Sequence, residues 1–87
     1  MKDLIGKKYL FRTVTYHLVG EVKEQFDNFL VLDKATWVAD SRRFNEALKN
    51  GFNDEAELEF CGDGVLLNLD SVVDAFPWKH DLPTDSQ

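Results

Sequence analysis

The stretch Val14 to Asp33, VTYHLVGEVKEQFDNFLVLD, constrains the fold more than any other part of the chain. Val14, Tyr16, Leu18, Gly20, Val22 and Phe26 fall on one face at period two, and Thr15, His17, Glu21, Lys23 and Gln25 fall on the other. This alternation predicts a long strand with one buried face, interrupted only at Val19 and Glu24. Asp27-Asn28 then predicts a tight turn, and Phe29-Leu30-Val31-Leu32 a second strand with Leu30 and Leu32 pointing inward. A glycine in mid-strand weakens pairing unless it marks a bend, so Gly20 predicts a sharp curl of the sheet.

The rest of the chain limits what surrounds this hairpin. With 87 residues there is room for one core, placed in residues 1–79, with residues 80–87 expected to be a loose tail. A hydrophobic content of 44% with two Trp, seven Phe and two Tyr supports a packed interior rather than a disordered chain. The formal net charge of −6 argues against broad binding to nucleic-acid backbones, which needs a basic surface, but leaves a small local site open. The single cysteine, Cys61, excludes an internal disulfide. The opening MKDLIGKKYLF has an acid at position 3 and only short apolar runs, so it reads as neither a signal peptide nor a membrane span. A cytoplasmic protein is the expectation.

Lys7 to Thr13 reads as strand, either the first part of the long strand or a separate edge, and Ala35 to Ala39 extends the strand after the hairpin. Asp40-Ser41 offers N-cap chemistry, Phe44, Ala47 and Leu48 follow at helical spacing, and Gly51 is placed as a stop. One short amphipathic helix is therefore expected over 41–50, held by Phe44 and Leu48. Ala56 to Phe60 alternates cleanly as a strand, Gly62-Asp63-Gly64 reads as a hairpin, and Val65 to Asn68 as the return strand. After a turn at Leu69-Asp70-Ser71, Val72 to Phe76 is the closing strand, ended by Pro77. Many short strands and one helix in so short a chain predict a mostly β fold: a small antiparallel barrel with one inserted helix.

This order of elements resembles the Sm-like family, which includes the LSm and bacterial Hfq proteins, and the resemblance implies a strongly bent, antiparallel five-stranded barrel of Sm-like or SH3-like type. Gly20, Asp27 and Leu30-Val31-Leu32 match its first motif, and Phe26-Asp27-Asn28-Phe29 resembles the Hfq form of the hairpin tip. The gap from Gly20 to Asp27 is slightly longer than in the family, which leaves room for a bulge. Val65 to Phe76 resembles the second motif, although Asn68-Leu69 stands where the family carries a basic turn. The family's N-terminal helix is not evident in Met1 to Lys8, and the combination of short acidic chain and inserted helix is similar to Sm-like proteins of phages.

The resemblance implies a site for a base at the hairpin tip, formed by Asp27, Asn28 and Phe29, with Asn68 in the position of the turn arginine. Stacking on an aromatic ring contributes about 1–3 kcal/mol per base, and an amide can pair with a base edge. Against this, Asp27-Asn28 is a common turn pair, Phe29 could pack at an interface, and Asn68 could cap a turn. Arg42-Arg43 at the expected helix start is electrostatically unfavourable, which suits an acidic neighbour in an oligomer or a phosphate, although a pair of solvated arginines is the commoner outcome. Trp37 and Trp78 read as core or interface anchors. His17, His80 and Cys61 share no metal-ligand or nucleophile spacing, so neither metal, cofactor nor enzymatic activity is expected.

Two functions follow as expectations. The resemblance implies a homo-oligomeric ring of roughly five to seven subunits, closed by head-to-tail pairing of the edges Val65–Asn68 and Val72–Phe76. Such a ring would bind single-stranded RNA or nucleotides near its pore, in RNA or DNA metabolism. The alternative is a non-enzymatic, phage-type interaction or host-inhibitory protein, with the barrel as scaffold. Its acidic surface of Asp54, Glu55, Glu57 and Glu59 would then meet a basic partner.

Overall fold

The computed structural model describes residues 4–87; residues 1–3 of the opening stretch lie outside the described residues. In chain order the elements are β1 (Lys8–Thr13), β2 (His17–Phe26), β3 (Phe29–Asp40), α1 (Phe44–Asn50), β4 (Glu57–Gly62), β5 (Val65–Asn68), a 3-10 turn (Leu69–Ser71) and β6 (Val72–Pro77). They form one antiparallel sheet in the order β4-β3-β2-β1-β6, with β5 also paired to β3. The fold is thus mostly β with one helix, as the alternation implied. It is a six-stranded sheet that does not close, where a five-stranded barrel was expected.

The sixth strand is β1, which stands apart from β2, and Gly62-Asp63-Gly64 is not a hairpin. β4 pairs with the second half of β3, from Ala35↔Gly62 to Asp40↔Glu57, and β5 pairs with the first half, from Phe29↔Asn68 to Leu32↔Val65. The chain therefore keeps its direction through the glycines, whose φ values of +90° and +76° fit a kink as well as a reversal. Lys34 opposite also has a positive φ of +52°. Where the backbone ladder is interrupted, carboxylates take over: Lys34 N–H donates to Asp63 Oδ1 at 2.8 Å and Gly64 N–H to Asp33 Oδ1 at 3.1 Å.

Gly20 lies at the same level. A Cβ there would fall 3.3 Å from both Ala35 Cα and Asp33 O, and the β2–β3 register shifts between Val19 and Glu21. The sheet is thus creased across β2, β3 and the β4/β5 junction. A second register shift between Val22 and Glu24 accommodates the long Gly20-to-Asp27 spacing. Gly20→Val should destabilise the protein by about 1–3 kcal/mol through overpacking against backbone that cannot retreat. Chemical denaturation checks this, and an unchanged midpoint would show that β2 and β3 part freely.

Each face of the sheet carries its own core. Phe11, Leu18, Val22, Leu30, Leu32, Ala35 and Leu67 pack on one face. Leu10, Val19, Val38, Ala56, Leu58 and Trp78 pack on the other, covered by Phe44 and Leu48 of α1, by Phe52 and by Leu82. This explains the break in alternation at Val19, which is fully buried in the second core. Val14 and Phe26, expected to point inward, are 84% and 44% exposed because they sit in the β1–β2 connection and at the hairpin tip.

Three further expectations are corrected. β1 lies between β2 and β6, so it is an inner strand rather than part of β2 or an edge. The helix starts at Phe44, not Ser41: Asp40 Oδ1 accepts the N–H of Arg42 at 2.7 Å and so closes a local turn, and the N-cap Arg43 makes no side-chain cap. Finally, the tail is anchored. Trp78 N–H donates to Lys8 O at 3.0 Å, and Gln87 and Leu58 exchange both backbone hydrogen bonds.

Candidate binding site at the β2–β3 turn

The turn that joins β2 to β3 is built by Asp27, whose φ of +49° is a conformation that Asp and Asn tolerate better than most residues. It presents Asn28, which is exposed, and Phe29, which is half-buried. β5 pairs with the start of β3, so Asn68 lies directly opposite Phe29. Asn28 Nδ2 donates to Asn68 Oδ1 at 3.3 Å, and Asn28 O accepts the N–H of Leu69 at 2.9 Å. The rings of Phe26 and Phe29 stack, with centroids 6.0 Å apart and planes inclined by 28°. The structure therefore brings Asn28, Phe29 and Asn68 together, with Asp27 alongside as the turn-former, and adds Phe26.

Asn68 has a second task. Its Oδ1 accepts the N–H of Asp70 at 2.9 Å and its carbonyl accepts the hydroxyl of Ser71 at 2.7 Å, so it caps the 3-10 turn. Asn28 and the two phenyl rings are the better placed groups for a ligand: an amide that can pair with a base edge beside a stackable aromatic surface.

Other singled-out residues lie apart from this turn. The acidic neighbour of the arginine pair is local, with Arg42 Nη1 3.6 Å from Asp40 Oδ2. Trp78 is buried in the second core, whereas Trp37 is 37% exposed and meets Tyr16 edge-on at 5.6 Å. His80 Nε2 lies 2.9 Å from Leu48 O, and Cys61 is exposed. Among the described residues no group of three or more His, Cys, Asp or Glu side chains could hold a metal, and no helix is long and apolar enough to cross a membrane.

One polar cluster was not visible in the sequence. Arg12 of β1 stands between His17 of β2 and Asp74 of β6 in the strand register. Its Nε donates to Asp74 Oδ1 at 2.6 Å and its Nη2 to Asp74 Oδ2. The guanidinium also lies 5.5 Å from the centre of the Phe44 ring and 5.7 Å from that of Phe76. Phe44 meets Phe76 edge-on at 5.2 Å and His17 at 5.6 Å. The cluster thus docks the start of α1 on the sheet. Arg12 and Asp74 are 62 residues apart, and each occupies an ordinary polar position in its strand, so nothing local distinguishes them from solvated charges.

The electrostatics of this cluster make stability depend on pH. The hydrogen bond from Arg12 holds the Asp74 carboxyl below the usual carboxylate range, and the same bond raises Arg12. Burial, followed by the charge of Arg12, lowers the His17 imidazole from its ordinary 6.5. A group with a lowered folded pKa stabilises the fold above its unfolded pKa and loses that contribution as pH falls. Stability should therefore begin to decline below about pH 6.5 because of His17, with a further decline at acid pH from Asp74. Denaturation midpoints across pH should show His17→Gln removing the upper step and keeping the lower one.

Comparison with family models and with curated proteins returns no match to this chain. The class that the fold defines is a small, creased, antiparallel β-sheet protein with one helix.

Proposed function

We propose that the chain is an Sm-like protein that assembles into a homo-oligomeric ring through β5 and β6 and binds single-stranded RNA or a nucleotide at Asn28 and Phe29. The observation that carries the ligand reading is the meeting of the Asn28 and Asn68 amides at 3.3 Å beside the stacked rings of Phe26 and Phe29. An amide and an aromatic face at one exposed turn match the two needs of a base, edge pairing and stacking. The assembly reading is supported by the strand order. Among the described residues β5 and β6 each pair on one side only, and they expose Leu66 (55%) and Val73 (61%). Unpaired edges of this kind invite pairing with another chain.

The net charge of −6 makes the expected binding local and stacking-based rather than spread along a phosphate backbone. Fluorescence titration with short U-rich and A-rich oligonucleotides at low salt tests it. Saturable binding should weaken by about 5–150-fold in Phe29→Ala, the range that one lost stack implies. Absence of binding at tens of micromolar protein would refute the ligand reading. It would turn attention to the exposed acids Asp54, Glu55, Glu57 and Glu59 as a contact for a basic protein.

A further inference from the structure

Of the three sheet edges, that of β4 alone is occupied among the described residues, and its occupant is the chain's own last segment. After β6, residues 78–87 turn back past the core that Phe44 and Leu48 of α1 cover and bring Ser86 and Gln87 to the edge of β4. Gln87 N–H donates to Leu58 O at 2.8 Å, and Leu58 N–H donates to Gln87 O at 2.6 Å. Such a reciprocal exchange is the hydrogen-bonded pair of an antiparallel ladder. Phe60 N–H donates to Ser86 Oγ at 2.9 Å, and Gln87 Nε2 reaches Asn53 O at 2.6 Å and Ala56 O at 3.4 Å. Upstream, Leu82 packs against the core that holds Trp78. Under the arch remains a cleft of about 360 Å³, lined in part by Phe52, Leu58 and Trp78.

This is the bonding of strand addition to a sheet edge, with backbone bonds for affinity and side-chain positions for selection. A single ladder pair and a few side-chain bonds each contribute only about 0.5–1.5 kcal/mol net. The segment therefore opens locally without unfolding the sheet. We propose that the β4 edge is a recognition site for an extended peptide, and that residues 82–87 are its resident occupant, exchangeable for a peptide of the same chemistry in trans. The resident defines that chemistry. An apolar residue sits on the Trp78 core, a hydroxyl residue four positions later accepts from Phe60 N–H, and an amide residue follows whose side chain donates to the carbonyls of Asn53 and Ala56. This edge is separate from the Asn28–Phe29 turn and does not depend on that reading.

The test uses the full chain carrying Gln87→Pro, which removes both the backbone donor and the side-chain amide of the resident. A synthetic peptide of residues 81–87 is added to the isotopically labelled variant, and amide signals are followed by NMR. Saturable shifts at Leu58 and Phe60 are expected. The unmodified chain should bind the peptide at least about tenfold more weakly, since its tethered segment competes at an effective concentration near the millimolar range. No shift at either amide with millimolar peptide, or equal binding by both chains, overturns the proposal. Should the variant not fold, hydrogen exchange of the unmodified chain decides. The Leu58 and Phe60 amides should exchange at least about tenfold faster than amides of the β2–β3 ladder, because they open without global unfolding. Equal rates overturn it.

Discussion

Trp78→Ala should lower stability by about 3–5 kcal/mol, the range for removing a fully packed large aromatic side chain. Trp78 is 3% exposed and stacks on Phe52 with centroids 4.7 Å apart. It meets His80 edge-on at 5.0 Å, and its indole N–H donates to Asp81 O at 3.2 Å. Alanine removes the centre of the second core and the post around which segment 78–87 turns. For a domain of this size such a loss is a large fraction of the total, on the order of 5–15 kcal/mol, and corresponds to a fall of about 12–40 °C in Tm. The backbone bonds between Gln87 and Leu58 should be lost with it, so the Leu58 and Phe60 amides should lose protection in hydrogen exchange even where the sheet persists. A midpoint change below about 1 kcal/mol would mean that the second core is not part of the cooperative fold.

Leu30→Ala should be of similar size, about 2–5 kcal/mol, from the opposite face. Leu30 is fully buried and stands in β3 between Gln25 of β2 and Leu67 of β5. A cavity there loosens the contact that seats β5, and with it the Phe29–Asn68 pair that shapes the candidate site. The two variants interrogate cores on opposite faces of one sheet, joined by neighbours such as Leu10 and Phe11 that point to either side. If both faces belong to one cooperative unit, each variant should shift a single transition, and the double variant should be unfolded at room temperature. Separate transitions by fluorescence and far-UV circular dichroism would contradict that unity.

What could be read from the sequence was local. Alternation from Leu18 to Val22, the turn at Asp27-Asn28 and the stop at Gly51 all have short-range causes, and the structure places a strand, a turn and a helix end there. Gly20 could be read as a bend because mid-strand glycine has few other uses. What escaped depended on distant partners. Gly62-Asp63-Gly64 has hairpin chemistry, but β3 is long enough to pair with both β4 and β5, so the chain kinks instead of reversing. Residues 80–87 are polar and contain Pro83, yet the open edge of β4 and the indole of Trp78 give them partners. Asp40 looked like a helix cap because the same side-chain chemistry serves the turn it makes with Arg42. At the candidate site, Asp27-Asn28 stood out as a turn pair with Phe29 next to it, and Asn68 was placed with them only by the resemblance. The proximity of Asn68 depended on β5 returning to the start of β3, a pairing between residues 40 positions apart.

The proposed assembly through the edges of β5 and β6 is decided by the molar mass of the full chain in solution. Static light scattering at micromolar concentration should give about five to seven times the chain mass of 10.0 kDa, the closed ring expected of a head-to-tail interface. Val73 falls at the register shift between β1 and β6, so Val73→Pro should disturb the outer edge more than the inner ladder and return the mass toward that of one chain. A mass of 10.0 kDa for the unmodified chain contradicts assembly outright.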